Sequence, residues 1–457
     1  MVYDIIDGMK RALIITMAVA AAALRAAHAD PAAYDAGKDL AASQDNWEQS
    51  ADDFAVEHGK HSFRFADNRK RDVVVCREQG AVTFFGIPVM ETRIYFKNKT
   101  MNGIEFSIYN KGDAVKHGGT MTMAELEKTV EEVSARLSAG GKVPQTVRVR
   151  VKNDRAKMGH KSSRSWPRRT PFAELSWGVS GERGAETVEF VRLSLGGVPQ
   201  GEAVRGKAPP AAGQAAAGLT ANVKRNDEGD VYIGNVPMVD QGDKGYCSVA
   251  AAERVLRYFG QSIDEHELAQ IAGTSAEGGT STKAMISAVE TIGRKCRLGK
   301  REISSKIASW ADGEKRLKEY NKNAKRLKRP ELDIGDYITQ SGNSRIFDIG
   351  GMERAMEPKV LKAMSMKDKS GYGRFVKGVR EQTARGVPLF WSVMLGVYPE
   401  PGIPQKAGGH MRLIIGYNAE RGEIIYSDSW GAGHEIKHMP DDWAWTITHN
   451  LFYLNPR

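Results

Sequence analysis

The chain has 457 residues, too many for one ordinary core, so two or three domains are expected. Its composition is that of a soluble globular protein, and 66 Lys and Arg against 56 Asp and Glu leave a formal net charge of +10. The basic residues are spread along the chain without a recognisable nucleic-acid module. That argues against specific nucleic-acid binding and leaves a solvated surface with some electrostatic attraction to anionic surfaces.

Met9-Lys10-Arg11 precedes an apolar run from Ala12 to Leu24, and Ala27-His28-Ala29 follows before Asp30. A charged segment, an apolar segment and an A-x-A site make residues 1–29 a signal peptide. We therefore expect export, periplasmic or extracellular, with cleavage near Ala29. The apolar run is short for a bilayer span and no other stretch is long enough, so no transmembrane span is expected in the mature chain. Cys76, Cys247 and Cys296 are an odd set, which in an oxidising compartment leaves a free thiol. Pairing of Cys76 with Cys296 would leave Cys247 free; the simpler reading keeps all three reduced. No Cys or His pair has zinc-ligand spacing, so no metal or other cofactor is expected.

Residues 30–197 read as an α+β domain of unassigned role. A helical lead-in ends near His58-Gly59. Runs rich in aromatic and β-branched residues follow at Val73 to Cys76, Val82 to Phe85, Thr92 to Phe96 and Ile104 to Asn110. A helix starts at Thr122 with Leu126, Val130, Val133 and Leu137 on one face, and strands resume at Thr146 to Val151, Phe172 to Trp177 and Val188 to Leu195. His58, His61, His117 and His160 are expected to be solvated surface histidines. The basic patch from Lys157 to Arg169, with Trp166 inside it, is expected to form an exposed hairpin loop. Residues 198–222, rich in Pro, Gly and Ala, read as a linker.

The second domain, residues 223–457, carries the chemistry. Gln241-Gly242-Asp243-Lys244-Gly245-Tyr246 leads into Cys247, which opens an apolar helix from Ser248 to Phe259. A thiol at a helix N-terminus lies where the macrodipole and unpaired N–H groups favour the thiolate. Gln241 is an amide that could donate to an oxyanion. A second helix follows from Ser262 to Gly273 and a third after Gly278-Gly279. Residues 294–330 are strongly basic and read as a solvated helical insertion. Residues 371–386 read as a helix and Pro388 to Val393 as a buried strand. Gly408-Gly409-His410 then opens an apolar strand, and a turn joins it to Ile424-Ile425-Tyr426-Ser427-Asp428. This hairpin brings His410 and Asp428 to one end of a sheet, where a carboxylate can orient an imidazole that serves a thiolate.

Gln241 ahead of Cys247 at a helix start, then Gly409-His410 before a strand, then Asp428-Ser429-Trp430-Gly431, resembles the papain-like cysteine peptidases. Asp428 stands where papain itself has Asn, and this is similar to the bacteriocin-processing, double-glycine leader branch. The resemblance covers roughly residues 231–455. It implies a papain-like fold, a helical unit packed on an antiparallel sheet, with an α+β class overall. It also implies Cys247 as nucleophile, His410 as base, Asp428 as orienter, Gln241 and the Cys247 N–H as oxyanion donors, and Trp430 as a shield over the His–Asp contact. Hydrolysis of a peptide or protein substrate through a thioester acyl-enzyme is the expected activity. The rivals are an inactive peptide-binding module of the same fold and a papain-like amide transferase or crosslinking enzyme.

Overall fold

The structure, a computed structural model, describes residues 33–456 except 43–44, 79, 114–118, 140–143, 153–157, 182–184, 197–217, 242–246, 262–267, 269–285, 287–289, 291–297, 307–308, 342–343 and 406. The expected signal peptide, most of the expected linker, the second and third helices after Cys247, His117 and Cys296 lie outside the described residues.

The N-terminal half is built on one antiparallel sheet. Its strands are β1 (Arg64–Phe65), β2 (Val73–Cys76), β3 (Glu91–Lys97), β4 (Thr100–Asn110), β5 (Gln145–Lys152), β6 (Met158–Trp166), β7 (Ala173–Ser180) and β8 (Thr187–Gly196). They lie in the order β1-β2-β3-β4-β8-β7-β6-β5. Helix α1 (Ala51–Glu57) lies near one end of the sheet, and α2 (Met123–Leu137) packs on β7 and β8. The capping box of Thr122 and Glu125 satisfies the first N–H groups of α2, and the expected stripe of Leu126, Val130, Val133 and Leu137 is its buried face.

Two expectations for this half are corrected. The basic patch is not a loop: Met158–Trp166 is an inner strand bonded to β5 and β7, and the Trp166 indole N–H is buried on Ser138 Oγ at 3.0 Å. His160-Lys161-Ser162-Ser163-Arg164-Ser165 has no apolar alternation, so only its neighbours reveal it as a strand. Nor are His58 and His61 solvated. Both are buried against Tyr34, and burial pulls their pKa values below the ordinary imidazole value. Cys76 is a free thiol on the His61 carbonyl at 3.1 Å, pushed up to about 11 by burial.

The C-terminal half has a second antiparallel sheet of eight strands. They are β9 (Val223–Arg225), β10 (Asp230–Ile233), β11 (Leu298–Ser305), β12 (Leu389–Leu395), β13 (Gly408–Asn418), β14 (Glu423–Ser427), β15 (Lys437–Pro440) and β16 (Thr448–Pro456). The central order is β9-β10-β13-β12-β16-β11, with β14 on β13 and β15 on β14. The helices are α3 (Cys247–Tyr258), α4 (Trp310–Arg326), α5 (Ile349–Ala355), α6 (Pro358–Ser365), α7 (Lys369–Ala384) and α8 (Asp441–Ile447).

This sheet is covered on both faces, as its apolar strands require. On one side Phe390, Met411, Leu413 and Phe452 pack with Val249, Ala252, Val255 and Leu256 of α3. On the other, Leu389, Trp391, Val393 and Ile414 pack with Leu317, Tyr320, Val360, Phe375 and Trp445 from α4, α6, α7 and α8. Neighbouring residues of β12 and β13 thus go to opposite cores, the period-two alternation of a strand. The expected solvated insertion at 294–330 is therefore corrected. Its described part opens with β11, paired to β16, and continues into α4, which buries Leu317, Tyr320 and Ala324. Its Lys and Arg residues occupy mostly the outward positions of an amphipathic helix. No helix of the described residues is long and apolar enough to cross a membrane.

Candidate active site

Cys247 is the first residue of α3, so its thiol stands among N–H groups that have no intrahelical acceptor. The three buried alanines at 250–252 let this helix lie close against the sheet. β14 ends at Ser427, which pairs with Leu413. Continuing that register sets Asp428 beside Arg412 and within reach of His410 on β13. Both His410 and Asp428 are buried.

The His410 Nε2–H donates to Asp428 Oδ1 at 3.1 Å, the only direction possible to an ionised carboxylate. That leaves Nδ1 for the thiol. Nδ1 makes no hydrogen bond of ordinary geometry among the described residues, although imidazole and thiol interact strongly enough to shift each other's titration. A loose contact before substrate binding is common for such pairs. Burial pushes the Cys247 thiol up, but the nearby His410 imidazole and its charge, with the Met411 backbone, outweigh it and hold the thiol below its ordinary value. Burial pushes His410 down, but Asp428 and the Cys247 thiolate outweigh it and raise it. Asp428 is likewise opposed by burial, yet Arg412, His410 and Lys437 hold it far below the carboxylate range. The three shifts favour a thiolate–imidazolium pair backed by a carboxylate.

Trp430 stacks on His410 with ring centroids 4.3 Å apart and planes 11° from parallel, covering one face of the imidazole. Gln241 is buried, and its backbone N–H donates to Ser429 O at 2.7 Å, bringing the amide beside the Asp428–Trp430 segment. All four residues singled out in the sequence are thus brought to one region. Among the described residues no cluster of His, Cys, Asp and Glu is placed to hold a metal ion.

Residues 235–311, which include Gln241 and Cys247, match the Peptidase C39 family. Over these residues the chain is similar to the C39 peptidases. The matched segment stops short of His410 and Asp428, which the sheet brings to the same region. Among solved structures, xylellain, a cysteine protease from Xylella fastidiosa, matches at 12% identity, covering 52% of this chain and 89% of that one with a TM-score of 0.24. No curated protein matches the chain.

The candidate site also relies on residues that the motifs did not indicate. Arg412 Nε donates to Asp428 Oδ1 at 2.8 Å, while its two terminal nitrogens grip Glu400 at 3.0 and 2.8 Å. Tyr426 O–H donates to Glu400 at 2.6 Å, and Lys437 reaches the other Asp428 oxygen at 3.2 Å. Arg254 projects from α3 and donates to Pro237 O at 2.8 Å, Asp428 O at 3.0 Å and Ser427 Oγ at 2.5 Å. It staples α3 to the strand end that carries Asp428. For Arg412 the available signal is a lone arginine within an otherwise apolar strand, which needs a specific partner if buried; Arg254 has Glu253 and Arg257 beside it and carries no such signal.

Proposed function

We propose that this chain is an exported cysteine peptidase that hydrolyses peptide bonds with Cys247, His410, Asp428 and Gln241. The observation that carries the reading is the His410 imidazole, held by Asp428 through Nε2, beside a thiol kept below its ordinary pKa. In the proposed reaction the thiolate attacks the scissile carbonyl carbon. The oxyanion accepts hydrogen bonds from the Gln241 amide and the Cys247 backbone N–H. The imidazolium gives its proton to the leaving amine, and a thioester remains. His410 then takes a proton from water, which attacks the thioester, releases the acid and restores the thiolate. Asp428 keeps the ring oriented and its positive form stable throughout, and Trp430 keeps water from the His–Asp contact. Residues 1–29, read as a signal peptide, would deliver the enzyme out of the cytoplasm.

The test pairs iodoacetamide labelling of Cys247 across pH with mass-spectrometric profiling of a peptide library. Wild type should be alkylated well below the pH at which a free thiol, with pKa about 8.5, reacts. In His410→Ala the acid limb should move up, because burial then acts on the thiol without its partner, and library cleavage should cease. Cleavage by a chain whose Cys247 is blocked would overturn the assignment. Amine incorporation in place of hydrolysis would make the enzyme a transferase, and an unreactive Cys247 would leave a binding module.

A further inference from the structure

The N-terminal half is docked against the part of the peptidase domain that carries the proposed oxyanion donor. Arg77, just beyond β2, pairs with the Asp240 carboxylate and also donates to the Asp240 carbonyl. A third bond, from Arg77 Nε to Glu91 at 2.5 Å, fixes the guanidinium from its own side of the interface. The network continues through Glu91 to Arg93, whose guanidinium lies 4.0 Å from Glu253 on the nucleophile helix. Glu253 is fully buried and pairs with Arg257 on the same helix at 2.5 Å. Elsewhere on this interface, Asn68 N–H donates to Glu435 at 3.0 Å. A face this rich in buried, matched charge has one register in which it can close, because any other leaves charges buried without partners.

Asp240 immediately precedes Gln241. Among the described residues the Gln241 side-chain oxygen has no hydrogen-bond partner, so the described contacts hold this residue chiefly by its backbone. One restraint comes from inside the peptidase domain, the Gln241 N–H to Ser429 O bond. Others come from the N-terminal half: the two-point Arg77 grip on Asp240 and the largely exposed Arg64, 3.7 Å from the same carboxylate. Asp240 also packs on Gly431, where a Cβ would stand 2.7 Å from the carboxylate, so the segment has little room to shift on that side.

From this geometry we propose that Arg77 is a positioning residue for acyl transfer: the N-terminal half completes the active site by holding the Asp240–Gln241 segment where the amide can meet an oxyanion. The proposal rests on the reading of Gln241 given above. It makes the N-terminal half a working part of the enzyme rather than a removable pro-segment or a separate targeting module.

The test compares two reactions of the same thiol in the full chain. Acylation of Cys247 by p-nitrophenyl acetate passes through an oxyanion, whereas alkylation by iodoacetamide does not. In Arg77→Ala the acylation rate should fall about 10- to 100-fold, the scale of a misplaced catalytic group, while alkylation and its pH profile stay within twofold. Arg77→Lys should recover part of the acylation rate. If Arg77→Ala does not fold, Asp240→Asn weakens the same pair from the other side and should lower the ratio of acylation to alkylation in the same direction. An unchanged ratio in a folded variant, equal loss of both reactions, or a rise in acylation would each overturn the proposal. Gln241→Ala in the same assay separates it from its premise: if that variant acylates normally, the oxyanion reading fails first.

Discussion

Asp428 is the carboxylate on which the proposed chemistry depends, and it is buried with three cationic partners. Arg412 matters most among them because it shares Asp428 Oδ1 with His410 and is itself locked by two bonds to Glu400. Among the described residues, removing it takes from Glu400 its one cationic partner and from Asp428 one of three. Arg412→Ala should therefore destabilise the fold by about 3–5 kcal/mol, the cost of breaking a buried ion pair from one side. Arg412→Lys should recover less than half of that, since an ammonium cannot reproduce the planar fork across Glu400 and Asp428. Urea unfolding measures both, and a loss under about 1 kcal/mol for the alanine variant would show that Arg412 is dispensable to the site. Cys247, His410, Asp428 and Gln241 could be named as candidates from the sequence because each sits in a short local pattern. Arg412, Glu400 and Arg77 could not, because their partners are defined only by the fold.

The elements were recognisable in proportion to how strongly their apolar residues repeat. The stripe of Leu126, Val130, Val133 and Leu137 and the run from Pro388 to Val393 announce a helix and a buried strand, and both form, as Met123–Leu137 and Leu389–Leu395. Lys300-Arg301-Glu302 did not announce β11, because that edge strand pairs with β16 on one side and leaves polar side chains outward. Gly416 shows how tightly the strands of this half are fitted. A Cβ there would lie 2.4 Å from Val231 O and 2.7 Å from Tyr232 Cβ, so β10 would have to withdraw from β13. Gly416→Ala should cost about 1–3 kcal/mol, the usual range for overpacking, and should release the amides of β10 to solvent. Hydrogen exchange mass spectrometry reads this directly; full protection of residues 230–233 in the variant would contradict it.

At the scale of the whole molecule, stability should depend on buried carboxylates held in the charged form. Glu353 on α5 is fully buried between Arg316 of α4 and His449 of β16, joining three elements behind the sheet. Burial alone would raise it, but His449 and Arg316 hold it down to about 2. Its folded value is depressed, so its contribution is complete above the unfolded value of about 4.5 and is lost as pH falls toward about 2. The loss is on the order of 3 kcal/mol from this residue, and Asp428 adds to it in the same direction. The melting temperature should drop steeply below about pH 4.5 in wild type and less steeply in Glu353→Gln. Identical acid profiles for the two would show that Glu353 is not a stabilising charge.

The sequence by itself determined which residues stand as candidates for the proposed chemistry, because Cys247, Gln241, His410 and Asp428 each carry a local signature of helix start, turn or strand end. It also determined the α+β class, through apolar repeats of period 3.6 and period 2. Only the tertiary structure decided that polar strands such as Met158–Trp166 enter a sheet, that Arg412 and Arg254 bind the two sides of the site together, and that Arg77 reaches the segment before Gln241 from another sheet. The physical reason is that a charged side chain reads as surface until its partner is known. Here Arg77 and Asp240 are 163 residues apart, and the ion pair that makes their burial tolerable exists only once both sheets have formed and docked.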